Sequence, residues 1–153
     1  MRQLLVLVTI LAGLGVSAAG ATSPLTGVWK LNPAKSKFSH GDLPLSLVIT
    51  ITEDGEDGIH YSSKNKLVNG SSGGASYTAK FDGQDYPVTG SPSYDHVSIR
   101  RVNSRTFQIQ MKQGSKVVVD TTYTVSADGK SLTRKGTASY AEVNHFEEWF
   151  DRQ

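Results

Sequence analysis

The sequence has 153 residues, with 16 Lys and Arg against 14 Asp and Glu, and it contains no Cys. This near balance of charge excludes the strongly basic surface that is typical of nucleic-acid-binding proteins. The absence of Cys excludes both a disulfide framework and a lipid tether on a Cys thiol. The fold must therefore be stabilised by a hydrophobic core.

The first segment, residues 1–21, has the pattern of a secretory signal peptide. Arg2 precedes an apolar run over residues 4–16, and small residues then surround the cleavage site. The run is shorter than the roughly 20 residues that cross a bilayer, so we expect no integral membrane anchor. Cleavage after Ala21, or alternatively after Ala19, predicts a periplasmic or extracellular protein with about 130 residues, enough for one core.

The remaining chain, residues 22–153, alternates β-favouring runs with turn sequences such as D-G and N-G. The predicted strands cover residues 27–31, 45–52, 59–67, 77–81, 86–88, 97–101, 107–112, 117–125, 132–136 and 141–151. The last run also has apolar residues at helical spacing, at Val143, Phe146, Trp149 and Phe150. We interpret it as a strand because it lacks a good N-cap and is short for an isolated helix.

This pattern predicts an all-β domain with roughly eight to ten antiparallel strands. A sandwich would usually need long crossing connections, whereas an up-and-down meander barrel needs only hairpins and leaves no open edge. We therefore expect a single antiparallel β-barrel, most simply a monomer. The only long connection, residues 33–44, could cross one barrel mouth as a lid.

Two segments resemble known proteins. Gly27 and Trp29 form the G-x-W pattern of the first lipocalin strand, and residues 27–38 and 77–90 resemble small exported bacterial proteins with lipocalin-like or fatty-acid-binding-protein-like barrels. The resemblance, to the lipocalin or calycin superfamily, implies that Trp29 plugs the closed barrel end against an Arg from a late strand. That partner would be Arg134 or Arg152.

The same resemblance implies binding of a small apolar or amphipathic molecule inside the barrel. Fatty-acid-binding proteins end in an R-x-Y pair that holds a lipid carboxylate, but the matching positions here are Glu148 and Phe150. A carboxylate at that place would repel a fatty-acid head group. The resemblance therefore supports a ligand-binding barrel and puts a fatty acid in doubt.

Strand alternation places several residues where they could line such a cavity. Arg101 and Arg134 share the phase of apolar neighbours, and a buried guanidinium needs an anionic ligand, an internal carboxylate such as Glu148, or a route to water at a strand end. The full set of candidate ligand-binding residues is Tyr61, Tyr77, Phe81, Arg101, Phe107, Met111, Tyr123 and Arg134. The aromatic members could equally fill a solid core.

Catalytic and metal signatures are absent from the sequence. The four His residues have none of the spacings of a metal site, and no Ser lies in a G-x-S-x-G motif, so we expect no metal or other cofactor and favour a non-enzyme. Two alternatives stay open. One is a filled barrel that binds another protein or acts as an inhibitor in the envelope, and the other is an enzyme that uses Glu148 or His145 inside the barrel.

Overall fold

The computed structural model describes residues 22–53, 57–140 and 142–153, so the predicted signal peptide lies outside the described residues. Within these ranges the chain is all-β except for one 3-10 turn, Pro33–Lys35, and no helix is long and apolar enough to cross a membrane. The strands are β1 (Gly27–Leu31), β2 (Lys37–Phe38), β3 (Ser46–Glu53), β4 (Gly58–Lys66), β5 (Ser72–Gly73), β6 (Ser76–Lys80), β7 (Tyr86–Pro87), β8 (His96–Arg101), β9 (Thr106–Gln113), β10 (Lys116–Val125), β11 (Ser131–Ser139) and β12 (Val143–Arg152).

The strands form one antiparallel sheet. Its order is β5-β4-β3-β1-β12-β11-β10-β9-β8-β7, with β6 beside β4 and β2 beside β12. The sheet curls until the β6 side meets the β8 side, where the isolated bridges Ser76–Thr89 and Asp82–Arg100 join them. This up-and-down meander, curled as a barrel, confirms the predicted fold class.

Side-chain alternation explains why these segments are strands. In β9, Phe107, Ile109 and Met111 are buried, while Gln108 between the first two is exposed. A strand places successive side chains on opposite faces, so this spacing puts one apolar row inside the curl and one polar row outside. The inward rows of the long strands pack together as a single hydrophobic core.

The last predicted segment, which also fitted a helix, is the strand β12. It pairs with β11 along its length, and Phe146, Glu148 and Phe150 are its buried residues. The register between β11 and β12 determines which alternate residues of β12 point inward, because a shift of one residue would exchange the two faces of the strand. The inward carboxylate is therefore Glu148, and its neighbour Glu147 points outward.

The long connection of residues 33–44 has a different form from a simple lid. It makes the Pro33–Lys35 turn and then continues as β2, which pairs with β12 through Phe38 and Phe146. The hydrogen bond from Ser39 N to His145 O, 2.9 Å, continues this pairing. The connection thus lies along β12 before it reaches the barrel end.

The two barrel ends differ. We call one end closed, because it holds residues 22–26 and the turns at 102–105 and 126–130. We call the other end open, and it holds residues 39–45, 67–71, 114–115, 140 and 142. Large apolar side chains are exposed mainly beside the open end, at Leu45, Leu67, Val68, Val117, Tyr140 and Val143. The open end therefore presents an apolar rim to solvent.

Candidate functional site

The closed end is sealed by Trp29 and Arg152. Trp29 is fully buried and its indole Nε1 donates a 2.8 Å hydrogen bond to Leu25 O. The Arg152 guanidinium lies 4.2 Å from the centre of the Trp29 ring. Of the two arginines that the sequence left as alternatives, Arg152 is the one that packs on Trp29.

Backbone carbonyls hold Arg152 in place. Its Nε, Nη1 and Nη2 donate to Gly129 O at 2.6 Å, Thr26 O at 2.6 Å and Pro24 O at 3.0 Å. Gly27 has a φ of +144°, and a Cβ added there would overlap Arg152 Nη1. The glycine of the G-x-W pattern is thus needed both for its backbone conformation and for the approach of this guanidinium.

Inside the barrel, Arg134 of β11 pairs with Glu148 of β12. The two residues face each other in the strand register, and Arg134 Nε lies 2.9 Å from Glu148 Oε2. The side chains are 15% and 4% exposed, respectively. The approach angle is not that of a hydrogen bond, because both atoms are without a hydrogen-bond partner among the described residues.

Burial and the ion pair change the pKa values of the two groups in understandable directions. Burial raises the pKa of Glu148, and the nearby Arg134 cation offsets part of that increase. Burial alone would lower the pKa of Arg134, but the Glu148 carboxylate and the phenols of Tyr123, Tyr61 and Tyr94 together outweigh it, and the pKa is raised. Arg134 therefore stays a cation under all physiological conditions.

Three tyrosines accompany this pair. Tyr61 and Tyr77 stack with ring centres 4.5 Å apart, and Tyr123 lies next to Arg134 in the β10–β11 register. Burial raises the pKa of Tyr61 and Tyr77 well above the usual value and that of Tyr123 to about 12, while Arg134 lowers each in part. All three phenols are therefore protonated at neutral pH. The hydroxyls of Tyr77 and Tyr123 are buried without a hydrogen-bond partner among the described residues.

A cleft of about 430 Å³ leads from the open end to Arg134. Its walls are mainly apolar and include Phe38, Phe146 and Tyr140, with the largely buried Arg134 as its cationic group. The Arg134 guanidinium lies 5.2 Å from the centre of the Phe146 ring. The complete lining is Phe38, His40, Gly41, Val119, Arg134, Ala138, Tyr140, Glu142, Asn144 and Phe146.

A second cleft of about 420 Å³ lies on the other side of Tyr140 and is lined largely by Ser and Gly. Tyr94 also borders it, and burial raises the pKa of that phenol. Asn65 Oδ1, at the same cleft, is buried without a hydrogen-bond partner among the described residues. Tyr140 thus separates two concavities, of which only the first reaches Arg134.

The structure brings many of the candidate residues together. One cross-strand row runs through Arg101, Phe107, Tyr123, Arg134 and Glu148 on five successive strands. The stacked pair of Tyr61 and Tyr77 lies on β4 and β6. Most of this set therefore shares one interior.

Not every candidate residue reaches the cleft. Arg101 is exposed at a strand end, where its guanidinium lies 4.6 Å from the Phe81 ring and 5.8 Å from the Phe107 ring. Met111 is buried beside Val97 and Val119, and only Val119 of these lines the cleft. Arg134 is the single member of the candidate set that lines this cleft directly.

Sequence reasoning missed the cleft walls. Phe38, Tyr140 and Glu142 lie in or next to connections, where side-chain alternation carries no information about facing. Phe146 belongs to the strand whose register was open in the sequence. The pairing of Phe38 with Phe146, ring centres 5.9 Å apart, depends on β2, a two-residue strand with no sequence signature.

The described ranges contain no cluster of three His, Asp or Glu side chains that could hold a metal ion. The polar groups inside the barrel are instead the Arg134–Glu148 ion pair and the buried tyrosine hydroxyls. The arrangement can bind and orient a polar atom through Arg134 while apolar walls cover the rest of a molecule.

Comparison with solved structures places the fold among β-barrels. The structure of a redesigned beta barrel matches with a TM-score of 0.55 and 12% identity, over 90% of this chain and 98% of that one. The crystal structure of Rv2717c from M. tuberculosis matches with a TM-score of 0.54 and 15% identity, over 86% and 94% of the two chains. No protein-family model and no curated protein matches the sequence. At these identities the likeness concerns the fold alone.

Proposed function

We propose that this chain is an exported, lipocalin-like barrel that binds a small amphipathic molecule. The observation that carries the proposal is the open-end cleft of about 430 Å³, with apolar walls and Arg134 at its inner surface. Small-molecule sites are concave, mostly apolar and supplied with a few polar groups, and their volumes begin at about 300 Å³. The cleft has each of these properties.

The unpaired polar groups nearby support the same proposal. Buried polar atoms in folded proteins nearly always have hydrogen-bond partners. Here Tyr77 Oη, Tyr123 Oη and the Arg134–Glu148 contact atoms are without any among the described residues. Such a set is costly in a purely structural core, and it is understandable in a site that a ligand or bound water completes.

Export is supported by the sequence of residues 1–21, with its basic, apolar and small-residue regions. The G-x-W plug supports the lipocalin-like assignment, because Gly27, Trp29 and Arg152 form the closed-end arrangement that the resemblance implies. A barrel closed by such a plug leaves the opposite end as the entrance. The apolar rim there offers a favourable path for an apolar molecule.

The test uses the full chain expressed in a bacterial host and recovered from the envelope fraction. Its denatured mass should correspond to cleavage after Ala21 or Ala19. Its native mass should exceed the denatured mass by a bound small molecule, and the neutral dye N-phenyl-1-naphthylamine should bind with saturable fluorescence.

A matched pair of variants locates the dye. Ala138→Phe fills the cleft from β11 and should abolish dye binding, whereas Thr137→Phe, on the outward face of the same strand, should retain it. A bare native mass together with no saturable dye binding would overturn the proposal. Equal binding by the two variants would move the ligand away from this cleft.

A further inference from the structure

We infer that the ligand's polar head is a neutral hydrogen-bond acceptor, a hydroxyl or carbonyl oxygen that Arg134 binds, rather than a carboxylate. This inference rests on the proposed function and specifies the chemistry of the same cleft. Its basis is the juxtaposition of Arg134 with Glu148 at 2.9 Å, with the carboxylate almost fully buried behind the guanidinium.

The first argument concerns net charge. Glu148 already neutralises Arg134, so the interior pair presents no uncompensated positive charge to an incoming anion. Glu142 also lines the cleft, and the remaining titratable lining residues are His40 and Tyr140, the latter with a pKa that burial raises to about 12. Arg134, Glu148 and Glu142 together carry one net negative charge, so an anionic head would meet net repulsion from these three groups.

The second argument concerns hydrogen-bond polarity. A guanidinium has five N–H donors and no acceptor, and Arg134 Nε lies 2.9 Å from Glu148 Oε2 without hydrogen-bond geometry. Its Nε has no hydrogen-bond acceptor among the described residues. An ammonium head has only donors and a positive charge, so it cannot satisfy these groups, whereas a hydroxyl or carbonyl oxygen can.

The surroundings of the guanidinium favour the same choice. The rings of Phe146 and Tyr123 lie 5.2 Å and 5.6 Å from Arg134 Cζ, so two of its sides are covered by aromatic groups. These rings exclude water from two sides of the guanidinium, so a second charge beside it is less well solvated than in bulk water. A neutral head satisfies the donors without requiring an additional buried charge, which makes it the better fit.

The experiment compares three ligands with the same alkyl chain at pH 8: 1-decanol, decanoate and decylamine. Each is titrated against the dye complex of the wild-type protein and of two variants. We expect decanol to displace the dye at a concentration at least tenfold below decanoate, and decylamine to be the weakest. Ionised decanoate is intrinsically less apolar than decanol, so the decisive quantity is how the variants change this ratio.

Glu148→Gln keeps the shape of the side chain and leaves Arg134 with an uncompensated charge. The decanoate-to-decanol affinity ratio should then rise at least tenfold. Glu147→Gln is the matched control, because Glu147 is the outward neighbour on β12 and pairs with Lys135 at 2.9 Å. The ratio in this control should equal that of the wild type.

A third variant keeps the test decisive if Glu148→Gln fails to fold by circular dichroism. Glu142→Gln removes the other carboxylate of the cleft without touching the buried pair, and it should raise the ratio in the same direction. Tighter binding of decanoate than decanol by the wild type, or an unchanged ratio in the folded Glu148→Gln and Glu142→Gln variants, would overturn the inference. Displacement by none of the three ligands would instead contradict the proposed function itself.

Discussion

Two arginines in this barrel pack against aromatic rings, and their hydrogen bonding distinguishes the two ends. Arg152 donates to three backbone carbonyls at the closed end, so its donors are satisfied by the chain itself. Arg134 has one carboxylate partner and retains donors that border a cleft. The first arginine completes the closed end, and the second borders the cleft that we propose as the ligand site.

The charge environment of the two arginines differs in the same sense. Arg152 is exposed and interacts with neutral carbonyl groups, so water solvates its charge. Arg134 depends on Glu148 for compensation because its side chain is largely buried and that of Glu148 is almost fully buried. Substitutions at the two positions should therefore differ in size, in pH dependence and in their effect on binding.

The largest effect is expected for Arg134→Met. It leaves the Glu148 carboxylate buried without a counter-charge, which costs about 3–5 kcal/mol of the free energy of unfolding. The double variant Arg134→Met, Glu148→Leu removes both charges and should restore most of this loss. Urea unfolding followed by Trp fluorescence measures both, and a single-variant loss below about 1 kcal/mol would show that the pair is not a buried ion pair.

The loss in Arg134→Met should also depend on pH. Without the cation, the folded-state pKa of Glu148 rises further above its unfolded value, because only the effect of burial remains. A carboxyl with a raised folded-state pKa favours the folded protein below its unfolded pKa and loses that contribution as the pH rises through the folded-state value. The deficit relative to wild type should therefore be larger at pH 8 than at pH 5.

Ionisation of Tyr123 in alkali should lower the free energy of unfolding by about 3 kcal/mol. Its pKa is raised by burial from 10.0 to about 12, so the folded state holds this proton more tightly than the unfolded state does. Stability is therefore lost as the pH rises from about 10 to 12, by about 1.4 kcal/mol for each pH unit that separates the folded and unfolded pKa values. Tyr123→Phe should show a smaller decline over this range.

At pH 7 the same variant should be nearly neutral or slightly stabilising. The Tyr123 hydroxyl has no hydrogen-bond partner among the described residues, and its removal relieves an unsatisfied buried group. Urea unfolding at pH 7, 10 and 11.5 tests both parts. A loss above about 1 kcal/mol at pH 7 would show that the hydroxyl is bonded, for example to buried water.

Much of the fold was predictable because burial alternates along each strand. The run from Phe107 to Met111 and the inward Tyr123 of β10 needed only the two-residue period to be placed. The two-residue strands β2 and β5 were not predictable, because such short pairings follow from the packing of their neighbours. The sequence left Arg134 and Arg152 as the two candidate partners of Trp29. Only the three-dimensional structure shows that Arg152 is the one that packs on the Trp29 ring.

The candidate site was predictable only in part. Alternation placed Arg134, Tyr61 and Tyr77 inside, but the register of β12, and hence the inward position of Glu148, could not be fixed. The cleft walls at Phe38 and Tyr140 belong to a two-residue strand and a connection. Local periodicity has no bearing on such positions, so the opening to Arg134 becomes visible only in the folded chain.

A smaller loss in the free energy of unfolding than that of Arg134→Met, about 2 kcal/mol, is expected for Arg152→Met. The Met side chain still covers Trp29, but the three hydrogen bonds from the guanidinium are lost. Each hydrogen bond from a charged donor contributes about 1.5–3 kcal/mol, and the three contributions do not add at an exposed site. No buried counter-charge remains behind, so the loss should be the same at pH 5 and pH 8. In conditions where the variant is folded, its affinity for N-phenyl-1-naphthylamine should equal that of wild type.

Arg152→Met should lose stability and keep its ligand selectivity. The double variant Arg134→Met, Glu148→Leu should do the reverse, with near-native stability and altered ligand selectivity. If Arg152→Met instead changed the decanoate-to-decanol ratio, the closed end would have to influence the cleft through the core. The division of the barrel into a sealed structural end and an open binding end would then fail. An unchanged ratio would show that the two arginines act independently, because they share no hydrogen-bond or ion-pair partner among the described residues.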